Sequence, residues 1–400
     1  MPDRPKRLVV PSRRLPDLSR RRFLGRGAAG MAAASLLGPG FLAACGGDDG
    51  DSGGGGGGGD EGGDQQSGGD ALRVSNWPFY ISETFVADFE EASGLSVDYR
   101  EDFNDNEEWF ARVRESLAAN QDIGTDLVIP TDFMVGRLIR LEWLAELDDG
   151  NIPNKGNLRE DLLASTIDDG RRYSLPYMSG MVGLAYNRAA TGRDITSIDD
   201  LWDPAFAGRV TLFSDAQDGL GMIMLANGDD PADGDIEAIQ RAADVVAEQR
   251  DAGQIRRFTG NDYADDLAAG NVVIAQAYSG DIVQLAADNP DLAFVVPDSG
   301  GTTFVDSMVI PITTRNKSGA EAWMDYVYDK ANYAALISYV QYVPVLSDIT
   351  EELEAIDPES AANPLINPTA DILDRLSSFP SFDDEQDAEI AELYAEVTAE

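Results

Sequence analysis

The sequence contains no histidine and only one cysteine, Cys45, in 400 residues. Without histidine the chain cannot form a Ser-His or Cys-His catalytic pair, a His-ligated zinc site or an imidazole general base. A single cysteine allows neither an intramolecular disulfide nor a thiolate metal cluster. We therefore predict a protein that is not an enzyme, with no catalytic residue, no metal site and no cofactor.

Basic residues are also scarce. Lys and Arg number 30 against 72 Asp and Glu, a formal net charge of −42, and nine of the basic residues lie within the first 45 positions. A surface this acidic repels nucleic acid and anionic lipid headgroups and attracts cations. A solvated acidic surface explains the charge on its own, so the composition permits a cationic ligand without demonstrating one. We expect no nucleic-acid partner.

The N-terminal region has the pattern of an export signal. Residues 19–25 read "SRRRFLG", and a stretch rich in Ala, Gly and Leu runs to "FLAAC" at 41–45. Its apolar part is too short for a transmembrane helix, and small residues precede the cysteine. The first motif resembles a twin-arginine export signal with Gly25 in place of Lys, and the second resembles a bacterial lipobox. We predict a signal peptide over 1–45, cleaved so that Cys45 carries lipid.

A glycine- and aspartate-rich tract follows the cysteine. Residues 46–70 contain almost no apolar side chain, so they cannot bury a core and are predicted to form a disordered linker. A flexible chain of about 25 residues reaches on the order of 25–30 Å. The expected product is an exported globular domain, lipid-anchored on the outer face of the cytoplasmic membrane.

From Ala71 the hydrophobic pattern alternates between short strands and longer helices. Strands are predicted at 71–77, 95–101, 125–131, 172–187, 208–213 and 271–280, with a strand-loop-strand passage at 293–312. Helices are predicted at 82–94, 106–120, 132–144, 236–253, 318–340 and 385–399. This alternation is typical of an α/β sheet with parallel pairings, in which ligands bind at the carboxyl ends of the strands.

Acidic residues stand at two unusual places in this pattern. The stretch "FSDAQDG" sets Asp215 and Asp218 three residues apart after an apolar run, and Asp306 interrupts the apolar run "FVDSMVIP". Paired carboxylates serve a metal ion, a proton transfer or a cationic ligand. Asp215 could equally be the N-cap of a following helix, with Asp218 in its first turn. The residues alone leave these roles open.

Several segments resemble one family. "LRVSNWPFYISETF", "TDLVIPTDFMVGRL", "YSLPYMSGMVGLAYN", "LWDPAFAGRVTLFSDAQDGLGM", "FVDSMVIP" and "YVQYVPV" occur in order over most of 71–345. They resemble the polyamine-binding proteins of spermidine/putrescine ABC transporters, within the extracellular solute-binding proteins. The resemblance implies a two-lobed, type II periplasmic-binding-protein fold with the ligand cleft between the lobes. It assigns 71–178 plus 305–348 to lobe 1 and 179–304 plus 349–400 to lobe 2.

The resemblance also implies the ligand-binding residues, which comprise aromatic rings, carboxylates and one hydroxyl. They are Trp77, Tyr80, Thr131, Phe133, Asp215, Asp218, Tyr278, Phe304, Asp306 and Tyr342. Some positions depart from the family. Phe133 stands for a tyrosine, Tyr278 and Phe304 stand for tryptophans, and Asp218 for a residue that is often Glu. Pro78 replaces a residue able to donate a hydrogen bond. These departures predict a roomier pocket with fewer hydrogen bonds.

Such residues suit a linear polycation. A buried ammonium requires acceptors, and an aromatic face attracts the cation while covering its methylenes. We predict the substrate-binding component of an ABC importer, a monomer that binds polyamine and is recognised by a membrane permease. Alternatives remain open. The rings could be core residues, the ligand could be another organic cation or a sugar stacked on Trp77 and Tyr80, or Asp215 could serve a secreted glycosidase.

Overall fold

The computed structural model describes residues 71–399. The predicted signal peptide, the lipid attachment at Cys45 and the linker at 46–70 lie outside the described residues. Within 71–399, none of the helices is long and apolar enough to cross a membrane.

Within residues 71–399, ten strands form the sheet. They are β1 (Leu72–Asn76), β2 (Val97–Glu101), β3 (Leu127–Val128), β4 (Ser174–Asn187), β5 (Val210–Phe213), β6 (Ile255–Thr259), β7 (Ile274–Tyr278), β8 (Leu292–Val295), β9 (Gly301–Val309) and β10 (Leu376–Ser377).

The α-helices of residues 71–399 surround the strands. They are α1 (Phe85–Ser93), α2 (Asn106–Ala118), α3 (Asp132–Arg140), α4 (Glu160–Leu163), α5 (Arg188–Thr191), α6 (Ala216–Asn227), α7 (Ile236–Asp251), α8 (Tyr263–Ala268), α9 (Ser279–Asp288), α10 (Lys317–Val327), α11 (Lys330–Val340), α12 (Thr350–Ile356), α13 (Pro358–Ala362), α14 (Ala370–Leu373) and α15 (Asp384–Thr398).

Every predicted strand and helix is present, with one exception. The single helix predicted over 318–340 is wrong, because α10 ends before Asp329 and α11 begins there. The Asp329 carboxylate accepts hydrogen bonds from the amides of Ala331 and Asn332, as an N-cap does. Strands β6 and β10 and helices α4, α5, α8, α9 and α12 to α14 were not predicted. The start of α9 falls inside the strand predicted at 271–280.

The sheet has two parallel halves joined by two long antiparallel strands. The strand order is β2-β1-β3-β9-β4-β7-β5-β6, with β8 paired to β4 and β10 to β9. Strand β1 is parallel to β2 and β3, and β5 is parallel to β6 and β7. Strand β4 pairs antiparallel with β9 along most of its length. The predicted α/β class with parallel pairings is confirmed.

Two hydrophobic cores lie on the two halves. The first core contains Leu72, Met134 and Trp323, and the second contains Phe213, Ile223 and others. Strands β4 and β9 run from one core to the other, so each contributes to both sides. We call these two clusters the first core and the second core.

The C-terminal segment also passes between the cores, but later than predicted. Residues Ile349, Leu353 and Ile366 pack in the first core, although lobe 2 was predicted to resume at 349. The chain joins the second core at Phe382, after β10 has paired with the start of β9. The reason is local: α12 packs against α11 of the first core. The remaining lobe boundaries stay a prediction.

Candidate functional site

A small cavity lies where the two cores meet. Its volume is about 20 Å³, enough for a water molecule, and we call it the inner cavity. Its lining comes from the ends of β1 and β7, the start of α3 and α6, and the middle of β9. The lining residues are Trp77, Pro78, Tyr80, Thr131, Asp218, Asn261, Tyr278, Phe304, Asp306 and Tyr342. The structure thus brings together eight of the ten predicted ligand residues.

Asp306 is a buried carboxylate on β9, only 4% exposed. The Tyr80 hydroxyl donates to its Oδ2 at 2.7 Å, and the Thr131 hydroxyl donates to its Oδ1 at 2.8 Å. Burial raises the pKa of Asp306 to about 7, although both hydrogen bonds act in the opposite direction. Asp306, which interrupts an apolar run in the sequence, is therefore a carboxylate that accepts hydrogen bonds from two neutral hydroxyls.

Asp218 faces the inner cavity from the first turn of α6. The Tyr278 hydroxyl donates to its Oδ2 at 2.7 Å. Burial raises the pKa of Asp218 to about 6, and the hydrogen bond from Tyr278 lowers it in part. The α6 N-terminus places this carboxylate on the second core, opposite Thr131 at the start of α3 on the first.

A third carboxylate, Asp281, was missed in the sequence. It lies in the first turn of α9, 1% exposed, immediately behind the cavity wall. The Tyr342 hydroxyl donates to its Oδ1 at 2.5 Å and the Tyr263 hydroxyl to its Oδ2 at 2.7 Å. Burial raises the pKa of Asp281 to about 6, against those two bonds. An acid beside the apolar run "IVQLAA" is the same signal that singled out Asp306.

Asp215 lies beside the inner cavity without lining it. Its Oδ1 accepts hydrogen bonds from the amides of Gln217 at 2.9 Å and Asp218 at 3.3 Å, so it caps α6. It lines a separate crevice with Asp105 and Trp77 that is too narrow to hold a water molecule. Burial, followed by the charges of Asp218 and Asp105, raises the pKa of Asp215 well above its ordinary value. The capping role left open in the sequence is present.

Phe133 also lies away from the inner cavity. It lines a wider neighbouring cavity, bounded by α3, α4 and the segment around β10. Three residues, Thr131, Asp218 and Phe304, line both cavities and separate them. Phe133 therefore does not belong to the group of residues that surrounds Asp306.

The rings around the inner cavity support one another. Tyr80 meets Tyr342 edge to face with 4.7 Å between centroids, and Tyr278 meets Phe304 in the same way at 5.2 Å. The indole N–H of Trp77 donates to the backbone oxygen of Ile129 at 2.7 Å. These contacts hold the rings in place around the cavity.

The site carries uncompensated negative charge. Within residues 71–399, none of the carboxylates of Asp215, Asp218, Asp281 and Asp306 forms an ion pair with Lys or Arg; their partners are hydroxyl, amide and backbone N–H groups. Buried acids in this state favour protonation or a bound cation. No group of three or more His, Cys, Asp or Glu residues comes close enough to hold a metal ion in the part of the chain described.

Comparison with known proteins decides the family. The sequence model for bacterial extracellular solute-binding proteins matches residues 84–368. The chain belongs to this family. The two-lobed, type II periplasmic-binding-protein fold predicted from the sequence is thereby confirmed. Members of the family are solute-binding proteins, and its extracellular character agrees with the predicted export; the lipid anchor and the monomeric state stay predictions.

Two of the relatives are named for the ligands that they bind. The chain is 28% identical over 308 residues to spermidine/putrescine-binding periplasmic protein 1 of Haemophilus influenzae, covering 77% of this chain and 83% of that protein. It is 29% identical over 315 residues to a putrescine/cadaverine-binding protein of Pseudomonas aeruginosa, covering 76% and 83%. A lipoprotein of Treponema pallidum shares the fold, with a TM-score of 0.69 at 22% identity over 83% of this chain and 100% of that one.

Proposed function

We propose that this solute-binding protein is the substrate-binding component of an ABC importer for polyamines such as spermidine and putrescine. The observation that carries the proposal is the inner cavity, in which the buried Asp306 and the half-buried Asp218, neither with a basic partner, lie among aromatic rings. The names of the curated relatives support the same ligand class.

The carboxylates would receive the ammonium groups. Asp306 offers one acceptor on the side of Tyr80 and Thr131, and Asp218 offers another from the second core. Asp281, which accepts a hydrogen bond from the Tyr342 hydroxyl behind the cavity wall, adds a third negative charge near the ligand. At about 4 Å and an effective dielectric of 20, each unit pair contributes roughly 4 kcal/mol of gross attraction, before desolvation is subtracted.

The rings would cover the methylenes between the ammonium groups. Trp77, Tyr80, Tyr278, Phe304 and Tyr342 all line the inner cavity. A ring face near a cation contributes on the order of 0.5–2 kcal/mol and excludes water from the carboxylates. The ligand would therefore contact the residues that line the cavity. Asp215 would act indirectly, by capping α6 and accepting a hydrogen bond from the Asp218 amide. Phe133 would lie outside the direct contacts, in the neighbouring cavity.

Ligand binding would stabilise the closed arrangement of the two lobes. The cavity lining comes from both cores, so a bound polyamine gains contacts that exist only when the cores are together. Backbone contact beside the site also joins the cores, since the amide of Asn261 donates to the Asn104 carbonyl at 3.2 Å. A membrane permease would recognise the closed form, and lipid on Cys45 would keep the monomer near that permease.

Another organic cation is the second candidate ligand. Pro78 has no amide hydrogen. The hydroxyls of the lining already donate to Asp306, Asp218 or Asp281, so few donors remain for a hydroxylated ligand. Aromatic rings around carboxylates also suit a quaternary ammonium, which donates no hydrogen bond. A sugar lacks the positive charge that the carboxylates require.

A thermal-shift screen tests the assignment. The mature protein would be heated with putrescine, spermidine, cadaverine, choline and a panel of sugars. A ligand present at 100 times its dissociation constant stabilises by about 2.7 kcal/mol. We expect a shift of several degrees with the polyamines and none with sugars. A shift with choline alone would favour the second candidate, and a shift with sugars alone would contradict both.

A further inference from the structure

The C-terminal helix α15 contacts the acidic turn from outside the binding site. None of its residues lines the inner cavity, and its apolar side, with Ile390, Tyr394 and Val397, packs in the second core. Its contact partners in that core are α6 and α7. Helix α6 is the element that carries Asp218 toward the ligand.

Tyr394 reaches the backbone of the turn "FSDAQDG". Its hydroxyl donates to the backbone oxygen of Phe213 at 2.6 Å. The same hydroxyl occupies the space that a Cβ atom at Gly219 would need, so the turn requires glycine there. Tyr394 therefore contacts both ends of the turn that carries Asp215 and Asp218.

Gln276 holds the same turn from the opposite side. Its Oε1 accepts from the Phe213 amide at 2.8 Å, and its Nε2 donates to the Gly219 oxygen at 2.9 Å. With Tyr394, both backbone groups of Phe213 are engaged. The Phe213 ring in turn stacks on Tyr278 at 4.5 Å, and Tyr278 donates to Asp218.

The N-terminal end of α15 is tied to the first core. Arg140 of α3 forms ion pairs with Asp384, at 2.7 Å, and with Asp387. Arg137 of the same helix lies 3.7 Å from Asp387 and pairs with Glu107 at 2.7 Å. Asp387 is largely buried, with 10% of its side chain exposed, so its charge is weakly screened.

These attachments place α15 between the two sides of the site. Helix α3 begins next to Thr131, which donates to Asp306, and α15 contacts the turn that carries Asp218. We propose that α15 is a positioning element for ligand binding: Tyr394 fixes the acidic turn, and the ion pairs to α3 hold that helix and turn against the first core. This inference rests on the proposed polyamine-binding function.

Paired tyrosine variants separate positioning from stability. Tyr394→Phe removes the bond to Phe213, and Tyr328→Phe removes a similar buried bond, 2.6 Å long, to the oxygen of Pro176 in the first core. Both are expected to lower the unfolding midpoint to a similar extent. Calorimetric titration with putrescine should show about tenfold weaker binding for Tyr394→Phe and less than twofold change for Tyr328→Phe. Equal losses of affinity would overturn the positioning role.

The ion pairs have their own matched control. Arg140→Gln breaks the contacts between α3 and α15, whereas Arg172→Gln breaks an exposed pair with Glu146 within the first half of the chain. We expect Arg140→Gln to weaken putrescine binding about threefold to tenfold at 50 mM salt, and most of this difference to persist at 0.5 M salt because the pair with Asp387 is largely buried. Arg172→Gln should match wild type. Identical behaviour of the two variants would refute the role of the ion pairs.

Hydrogen exchange of the unliganded protein keeps the inference independent of ligand identity. Tyr394→Phe is expected to raise exchange at the amides of 215–219 at least tenfold, and Tyr328→Phe is expected to leave them unchanged. Unchanged exchange in Tyr394→Phe would overturn the inference whichever ligand binds. Failure of wild type to bind any polyamine, with the expected exchange pattern intact, would instead contradict the proposed function.

Discussion

Asp306 is held by two hydroxyls from the first core, Tyr80 at Oδ2 and Thr131 at Oδ1, at 2.7 and 2.8 Å. Both donors are neutral, so the carboxylate is buried with hydrogen bonds but without a counter-charge in the described structure. This combination raises its pKa to about 7 and makes the unliganded site costly. A cationic ligand would supply the missing charge.

We expect removal of the Asp306 charge to weaken ligand binding without lowering the stability of the unliganded protein. Asp306→Asn keeps an acceptor for Tyr80 or Thr131 but abolishes the buried charge. At pH 8 the unliganded variant should be at least as stable as wild type, because the unpaired charge no longer opposes folding. Chemical denaturation measures the difference. Asp265→Asn, at an exposed position on α8, is the control and should change neither stability nor binding.

The pH dependence of affinity follows from the raised pKa values. Burial raises the pKa of Asp306 to about 7 and those of Asp218 and Asp281 to about 6, above the ordinary value near 4. A bound ammonium favours the ionised carboxylates, so binding releases protons and affinity rises with pH through this window. With Asp306 alone, affinity at pH 5.5 should be about 30-fold weaker than at pH 8. Titrations at both pH values measure it.

The same groups predict the opposite trend for unliganded stability. Between about pH 4 and pH 7 the folded protein retains protons that the unfolded chain has lost. Unfolding then releases protons, so the free energy of unfolding falls as pH rises through this range. Asp306→Asn should flatten part of that slope. A polyamine affinity that falls with rising pH, or stability that rises between pH 5 and 7 because of these groups, would contradict the assignment.

The two halves of the sheet approach closely at Gly260. A Cβ atom there would overlap the backbone oxygen of Asn104, which belongs to the loop before α2 on the first half of the sheet. Gly260→Ala is therefore expected to oppose the closed arrangement and weaken putrescine binding at least tenfold, with little loss of fold stability. Gly156→Ala is the control, since its Cβ meets no atom within 4 Å. Equal affinities of the two variants would show that closure does not require this contact.

Asp281 is expected to contribute charge without direct contact. Asp281→Asn retains an acceptor for Tyr342 or Tyr263, but not for both, while removing the negative charge behind the wall. We expect a loss of affinity of about tenfold, smaller than that of Asp306→Asn because a tyrosine lies between Asp281 and the cavity. Calorimetric titration with putrescine and spermidine measures the order. A larger loss at Asp281 than at Asp306 would place the main charge contact at α9.

The sequence predicted the strands that carry the site because apolar runs followed by an aromatic or acidic residue are local signals, although several strand ends differ by one to three residues. Asp281 was missed because the predicted strand 271–280 ends immediately before it and helix α9, which positions it, was not predicted. The cap formed by Asp215 and its separation from the inner cavity depend on the direction of α6. The contact of Tyr394 with Phe213 spans 181 residues and has no local pattern at all.

Calorimetric titration of putrescine and spermidine into wild type and Asp306→Asn at pH 8 tests the central claim most directly. Truncating one partner of a buried charge pair typically costs about 2–5 kcal/mol, which corresponds to roughly 30-fold to several thousandfold in affinity. We predict binding to wild type with one site and a loss of at least 30-fold in the variant. Wild type that binds neither polyamine, or a variant that binds as tightly as wild type, would contradict the account.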